Sequence, residues 1–226
     1  MTEAGRGLVA LGDSITRGRG GTPALGVHYQ SWAQWVAEAM GLPFTNLAAD
    51  GTLASDVLAE QVPRLDGPYD VAALFVGVND ARSTGWDPDR YEHDVRAILR
   101  SLREAAERVV VLTLPEDLGR PTAAPKPAEA NRILRTLAGV EVVELADLGG
   151  RRHVLPDAVH PTSVGMLEIA RRALAILSPG VEWTVEDSEG PQLSTRRDLR
   201  YEAWWWRLWV RDVARRVRER RAAPRG

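Results

Sequence analysis

The chain alternates short apolar runs with longer segments in which apolar residues recur every three or four positions. The apolar runs are rich in β-branched residues and hydrophobic on both faces, which is typical of parallel strands covered by helices on both sides. They span residues 7–11, 44–48, 70–78, 108–114 and 140–145. Helical periodicity spans residues 28–40, 53–65, 87–107, 126–138 and 162–177. This alternation predicts a doubly wound α/β domain with a parallel sheet.

The carboxyl ends of the predicted strands carry glycines and polar residues. In a sheet of this kind, ligands bind in the crevice outside these ends, where each strand turns towards the next helix. The segments that reach this edge are residues 12–14, 49–51, 77–80 and 146–165. We therefore expect the functional site there, with specificity set by the surrounding loops at residues 17–30, 81–90 and 115–127.

Composition narrows the class of protein. The 226 residues, 44% of them hydrophobic, suffice for one sizeable core and an appendage. The absence of cysteine excludes disulfide scaffolds and thiolate metal sites, and the single lysine, Lys126, excludes a phosphate loop built on Gly-Lys-Ser/Thr. The short, polar N-terminus lacks an apolar signal region, and no run approaches the roughly 18 apolar residues that cross a bilayer. We expect a soluble, cytoplasmic protein.

The C-terminal segment differs from the rest of the chain in charge. Residues 195–226 carry a net charge of +7, whereas residues 1–194 carry −9. Apolar residues recur there at helical spacing, with arginines on the remaining face, which predicts an amphipathic helix. These residues are Leu199, Ala203, Trp206, Val210, Val213 and Val217. We predict a main domain over residues 1–178, a linker over 179–195 and a basic, tryptophan-rich helix over 196–226.

Several roles are open for this C-terminal helix. In the simplest case its tryptophan face packs on the acidic main domain. The alternatives are a lid over the crevice, peripheral contact with a membrane interface, or contact with a partner or a second copy in a homo-oligomer. Nucleic-acid binding is not expected, because charge is the only feature that supports it.

Ser14 is a candidate nucleophile only if a base lies near it, because a serine after a strand is commonly a turn residue. The chain has four histidines: His28, His93, His153 and His160. His28 lies near a helix start, His93 lies within a charged helical pattern, and His153 has no acid nearby in sequence. His160 instead follows Asp157 by three residues on the predicted edge. A carboxylate at that spacing can accept the Nδ1 proton and leave Nε2 to take a proton from a serine hydroxyl.

Two further residues on this edge suit an oxyanion hole. Gly51 can present its backbone N–H without a side chain in the way, and Asn79 offers an amide NH₂. Each residue alone is also typical of a plain turn. The neighbouring Asp13 and Asp80 are interpreted as carboxylates that orient loops. A metal site built from such acids and His160 is a less favoured alternative.

Four motifs in this order, ALGDSITRG, NLAADG, VGVND and DAVHP, resemble the conserved blocks of the SGNH (GDSL-type) hydrolase superfamily. The resemblance covers roughly residues 7–177 and implies a three-layer, flavodoxin-like fold with a five-stranded parallel sheet ordered 2-1-3-4-5. It implies Ser14 as nucleophile, His160 as base and then acid, and Asp157 as the triad acid. It also implies an oxyanion hole from the Ser14 N–H, the Gly51 N–H and the Asn79 side chain, and it requires no metal or other cofactor.

Two departures from the family pattern remove no chemical group: Ile15 stands where leucine is frequent, and Ala48 where a second glycine often occurs. An α/β-hydrolase is excluded because no serine has the Gly-x-Ser-x-Gly context. The C-terminal helix resembles Trp- and Arg-containing helices of actinobacterial members of the superfamily.

We therefore predict a serine esterase that hydrolyses oxygen esters of acyl or acetyl groups, on small-molecule substrates, through an acyl-enzyme. One alternative is an acyltransferase that uses the same catalytic groups. Another is a binding module on a hydrolase scaffold, in which the C-terminal helix recruits a membrane or a partner. The complete set of catalytic groups argues against the binding module.

Overall fold

A computed structural model describes residues 6–19, 29–117, 125–181 and 202–211, together with residues 213, 214 and 217. His28, the middle of two predicted specificity loops at 20–28 and 118–124, and the predicted linker beyond residue 181 lie outside the described residues.

Five parallel strands form one sheet in the predicted order β2-β1-β3-β4-β5. Their bounds are β1 Leu8–Gly12, β2 Phe44–Asn46, β3 Tyr69–Phe75, β4 Ala106–Leu112 and β5 Glu141–Val143. In the register of the sheet, Ala10 of β1 lies opposite Asn46 of β2 and Ala73 of β3. Strand β1 is buried along its whole length, as its continuous apolar sequence predicts.

Helices cover the sheet on both faces. Their bounds are α1 Ser14–Arg17, α2 Trp32–Ala39, α3 Ala54–Asp56, α4 Val78–Arg82, α5 Pro88–Ala105, α6 Lys126–Arg135 and α7 Ser163–Leu177. Helix α2 packs against α7, whereas α5 packs against α6. Residues 202–211, 213, 214 and 217 are also helical and are together called α8. The arrangement is the three-layer, flavodoxin-like α/β fold that the sequence predicts. Within the part of the chain that is described, no helix is long and apolar enough to cross a membrane.

The third strand ends earlier than its apolar sequence predicts. It stops at Phe75, and Gly77, with φ of +122°, precedes a short helix, α4, at residues 78–82. This left-handed backbone favours glycine, and a Cβ at Gly77 would also lie 2.6 Å from the Tyr91 hydroxyl oxygen. As a result, Asn79 lies in the first turn of a helix rather than at the end of a strand.

The helix predicted over residues 53–65 is not a regular α-helix. After α3, the chain forms a π-helical turn at Val57–Gln61 and then a 3₁₀ turn at Val62–Arg64. A π turn holds one extra residue and occurs mostly as a single turn, frequently at functional sites. The turn ends at Gln61, which is 1% exposed and bonds to the end of β1.

Candidate active site

Ser14 is the first residue of α1, and only Asp13 separates it from the end of β1. The carboxylate of Asp13 caps this helix, because its Oδ1 accepts the N–H of Ile15 at 2.9 Å. Gly12 has a φ of +144°, and a Cβ at this position would lie only 2.1 Å from the carbonyl oxygen of Phe75. Ser14 itself is 6% exposed. The serine is therefore carried on a tight, capped turn packed against β3.

Two side chains outside the predicted site hold Gly12 in place. The Gln61 amide bonds twice to Gly12: Oε1 accepts its N–H at 2.9 Å and Nε2 donates to its carbonyl at 2.8 Å. The Thr52 hydroxyl donates to the same carbonyl at 2.9 Å. No motif marks either residue, because each role depends on two distant chain segments meeting. The backbone two residues before Ser14 is thus fixed by buried hydrogen bonds.

The structure brings Ser14, His160 and Asp157 into one line of contacts. Ser14 Oγ lies 2.9 Å from His160 Nε2, and His160 Nδ1 lies 2.6 Å from Asp157 Oδ2. The other oxygen of Asp157 accepts the backbone N–H groups of Val159 and His160 at 2.9 and 3.0 Å. Burial alone would raise the pKa of Asp157, but these hydrogen bonds and the imidazole outweigh burial and lower it. The carboxylate is therefore held ionised and aimed at Nδ1.

The loop that carries Asp157 and His160 is closed by its own backbone. Val154 and Pro161 form an antiparallel bridge, and the N–H of Leu155 donates to the carbonyl of His160 at 2.9 Å. At the tip, Ala158 takes a φ of +58°. A non-glycine residue rarely adopts this left-handed conformation, which costs roughly 1–3 kcal/mol and tends to occur at functional sites. The loop thus sustains some strain while it presents the imidazole to Ser14.

Asn79 and Gly51 lie on the same edge, after β3 and β2. Nδ2 of Asn79 donates to the carbonyl of Thr52 at 3.0 Å, which fixes the orientation of the amide. The carboxylate of Asp80 accepts the N–H of Ala54 at 3.1 and 3.3 Å, and burial raises the pKa of Asp80 to about 6. Gly51 has a φ of +76°, and no described atom lies within 4 Å of the position its Cβ would take. Open space therefore adjoins the Gly51 backbone.

Charged side chains join the loop after β2 to the turn after β1. Asp50, which precedes Gly51, forms ion pairs with Arg17 at 3.0 Å and Arg19 at 2.8 Å. Its carboxylate is only partly exposed, whereas both guanidinium groups are largely in solvent. This contact connects the segment of Gly51 to that of Ser14, and no motif in the sequence predicts it.

Two other histidines lie outside the line of contacts from Ser14 to Asp157, and two aspartates beside the site bind backbone N–H groups. His93 is in α5, and Nδ1 of His153 lies 3.1 Å from the carbonyl of Gly149. Asp13 accepts the N–H of Ile15 and Asp80 accepts the N–H of Ala54, so each carboxylate holds the backbone at the start of a short helix. Burial raises the pKa of Asp13 to about 7, against the lowering effect of the Ile15 N–H, and its second oxygen has no described hydrogen-bond partner. Among the residues described, no three His, Asp or Glu side chains converge as metal ligands would.

Comparison with known proteins places the chain in a family. The profile of the GDSL-like lipase/acylhydrolase family matches residues 10–167, which contain all four motifs. No curated protein matches the sequence.

Several solved structures share the fold at low sequence identity. Axe2, an acetylxylan esterase from Geobacillus stearothermophilus, has a TM-score of 0.60 at 19% identity, over 80% of this chain and 96% of its own. A member of the lipolytic G-D-S-L family from Veillonella parvula has a TM-score of 0.60 at 20% identity, over 76% of this chain and 97% of its own. LAE5, an α/β hydrolase from the metagenome of Lake Arreo, has a TM-score of 0.59 at 21% identity, over 76% of this chain and 94% of its own. The chain thus belongs to the GDSL-like lipase/acylhydrolase family of SGNH hydrolases and is a carboxylic-ester hydrolase.

Proposed function

We propose that the protein is a serine esterase that cleaves oxygen esters of short acyl groups through an acyl-enzyme. The observation that carries this proposal is the unbroken contact from Ser14 through His160 to Asp157, at 2.9 and 2.6 Å. These distances suit a nucleophile, a base and an orienting carboxylate.

In the first half of the reaction, Ser14 Oγ attacks the ester carbonyl carbon and its proton passes to His160 Nε2. Asp157 accepts the Nδ1 proton as a hydrogen bond, which sets the tautomer and stabilises the imidazolium that forms. The tetrahedral intermediate then collapses: the bond to the alkoxy oxygen breaks, and the leaving alcohol takes the proton from Nε2. In the second half, water attacks the acyl-enzyme with His160 again as base, and the acid and free Ser14 are released.

The negative oxygen of both tetrahedral intermediates requires fixed donors, which are usually the largest single contribution to such catalysis. We assign this role to the N–H groups of Ser14 and Gly51 and to the side-chain amide of Asn79. One N–H of the Asn79 amide is held by the carbonyl of Thr52, and the NH₂ group has a second N–H to donate. Preorganisation of this amide supports the assignment, because it need not reorient during the reaction.

Acetyl esters are the first substrates to test, since the structurally similar Axe2 is an acetylxylan esterase. Variants of Axe2 in which a serine or a histidine is replaced by alanine are catalytic mutants. This likeness motivates the choice of substrate, and the contacts of Ser14 support the mechanism.

The test is a panel of p-nitrophenyl esters from acetate to dodecanoate, with and without an added alcohol as acceptor. We expect the highest kcat/KM for short acyl groups, and a loss of at least about 10⁴-fold in Ser14→Ala. Ser101→Ala in α5 is the matched control and should keep full activity. Transfer to the alcohol in preference to water would identify an acyltransferase, and a folded but inactive wild-type protein would favour the binding module.

A further inference from the structure

Helix α8 rests on the loop that carries the acid and base of the proposed triad. Nε1 of Trp205 donates to the carbonyl of Val154 at 3.4 Å. Arg151 pairs with Glu202 at 3.0 Å, and its guanidinium lies 5.3 and 4.9 Å from the ring centres of Trp205 and Trp206. Cation–π contacts of this length are favourable. One side of α8 is thus attached to the hydrolase domain.

The helix also presents apolar side chains to water, and one of them, Trp206, lies at the edge of the contact with Arg151. Four of the five large hydrophobic side chains exposed in the described residues belong to α8: Trp206 at 43%, Trp209 at 38%, Val210 at 57% and Val217 at 43%. At 100° per residue they lie within a sector of about 100°. We call these four residues the tryptophan stripe. Trp205 and Trp206 contact the main domain through Val154 and Arg151, as in the simplest expectation, but the four residues of the stripe remain exposed.

The arginines of α8 lie on its remaining face. At 100° per residue, Arg207 lies about 110° and Arg211 about 150° from the centre of the tryptophan stripe, and both are exposed. The segment from 195 to 226 carries +7, while the rest of the chain carries −9. Two copies of this helix paired through the stripe would bring like charges together, which is unfavourable. An anionic lipid surface offers both an apolar layer for the rings and phosphates for the guanidinium groups.

The chemistry of tryptophan also favours the surface of a lipid bilayer. Its ring is apolar and its indole N–H is polar, so tryptophan is enriched at the boundary between acyl chains and water. Trp206 and Trp209 contact each other edge to face, with ring centres 5.3 Å apart, and form one continuous apolar surface.

We propose that the tryptophan stripe docks the protein on an anionic membrane surface. Helix α8 lies in the interface, its arginines meet lipid phosphates, and the negatively charged hydrolase domain faces water. Because α8 contacts Val154, on the same loop as His160, docking places that loop next to the lipid surface. This proposal does not depend on the catalytic mechanism, and vesicle binding measures it without any turnover.

The test is co-sedimentation of the full chain with vesicles of phosphatidylcholine alone and of phosphatidylcholine with phosphatidylglycerol. We expect binding to the anionic vesicles, a blue shift of tryptophan fluorescence, and weaker binding as salt screens the charges. The triple variant W206S/W209S/V210S should bind at least about tenfold more weakly. Val181→Ser is the matched control, because Val181 is also 43% exposed but lies outside α8.

The charge contribution is tested separately with R207Q/R211Q. Each arginine near an anionic surface strengthens binding about fivefold, so the double variant should bind about fivefold more weakly through the loss of Arg207 and up to about 25-fold more weakly if Arg211 also reaches the phosphates. All these positions are exposed, and circular dichroism with ester hydrolysis in solution verifies that the variants are folded.

Three outcomes would overturn the proposal. The first is that the wild-type protein ignores anionic vesicles or binds neutral vesicles equally well. The second is that W206S/W209S/V210S binds like the wild type. The third is sedimentation equilibrium that shows a dimer lost in the triple variant, which would assign the stripe to a second copy of the chain.

Discussion

The Gln61 amide offers a sharp test of how the fold positions the nucleophile. Gln61→Met keeps the length and approximate volume of the side chain but removes both hydrogen bonds to Gly12. The Gly12 carbonyl still accepts the Thr52 hydroxyl at 2.9 Å and the Ala49 N–H at 3.2 Å. The Gly12 N–H, in contrast, loses the acceptor that the amide provides.

The expected magnitude follows from that lost partner. A buried donor left without an acceptor costs about 1–3 kcal/mol of stability. At about 2–4 °C per kcal/mol for a domain of this size, Tm should fall by roughly 2–12 °C. Ser14 lies two residues further along the chain, and a misplacement of about 1 Å at a reacting group costs about 100-fold. We therefore expect kcat to fall about 10- to 100-fold with little change in KM.

The assay combines urea unfolding with acetate-ester kinetics and the rate of labelling by a fluorophosphonate. The control is Gln34→Met, in which the lost amide donates to Glu38 on the surface of α2 at 3.1 Å. The labelling rate should fall by the same factor as kcat, because both depend on the position of Ser14. If Gln61→Met loses stability but keeps kcat within twofold, Gln61 only supports the fold, and the reasoning is refuted.

Three further predictions concern neighbouring residues. Asn79→Ala should lower kcat about 10²–10³-fold with little effect on KM, and a loss below fivefold in ester kinetics would remove it from the oxyanion hole. Asp13 has its pKa raised from 3.8 to about 7, so the stability it contributes is complete below pH 4 and lost as pH rises through 7. Asp13→Asn should remove that loss, which amounts to up to about 4 kcal/mol. If the free energies of unfolding in urea of the wild type and of Asp13→Asn changed in parallel from pH 4 to 8, this prediction would be contradicted. Gly12→Ala should lower the free energy of unfolding by at least about 3 kcal/mol, measured in urea, because the new Cβ would clash with the carbonyl oxygen of Phe75. Gly41→Ala is the control: it lies in open space at φ +66° and should cost only about 1–2 kcal/mol. Equal losses in the two variants would count against the close approach at Gly12.

Much of the fold could be predicted because each strand is a continuous apolar run followed by a polar turn. This pattern predicted the parallel sheet and its carboxyl edge, while the order 2-1-3-4-5 came from the family resemblance. The end of β3 could not be predicted, because Val76 and Val78 are as buried as the strand before them. The break there depends on the backbone of Gly77 and on its contact with Tyr91, neither of which hydrophobicity reveals.

Some residues of the candidate site could likewise be predicted from the sequence, and others could not. Ser14 and His160 stand in local motifs, so the sequence could propose them as partners across 146 residues. Gln61 and Thr52 stand in no motif, since their roles arise from a π turn and from backbone carbonyls that meet only in the folded chain. Similarly, the periodicity of α8 predicted an amphipathic helix but not which of its apolar residues would stay exposed.

The central claim is that Ser14 is a nucleophile activated by His160 and Asp157. The most direct measurement is intact mass after incubation with a fluorophosphonate, followed by peptide mapping. The account predicts a single adduct on the peptide that contains Ser14, absent in Ser14→Ala and formed far more slowly in Asp157→Asn. An unlabelled wild-type protein that is folded, or an adduct that persists in Ser14→Ala, would contradict it.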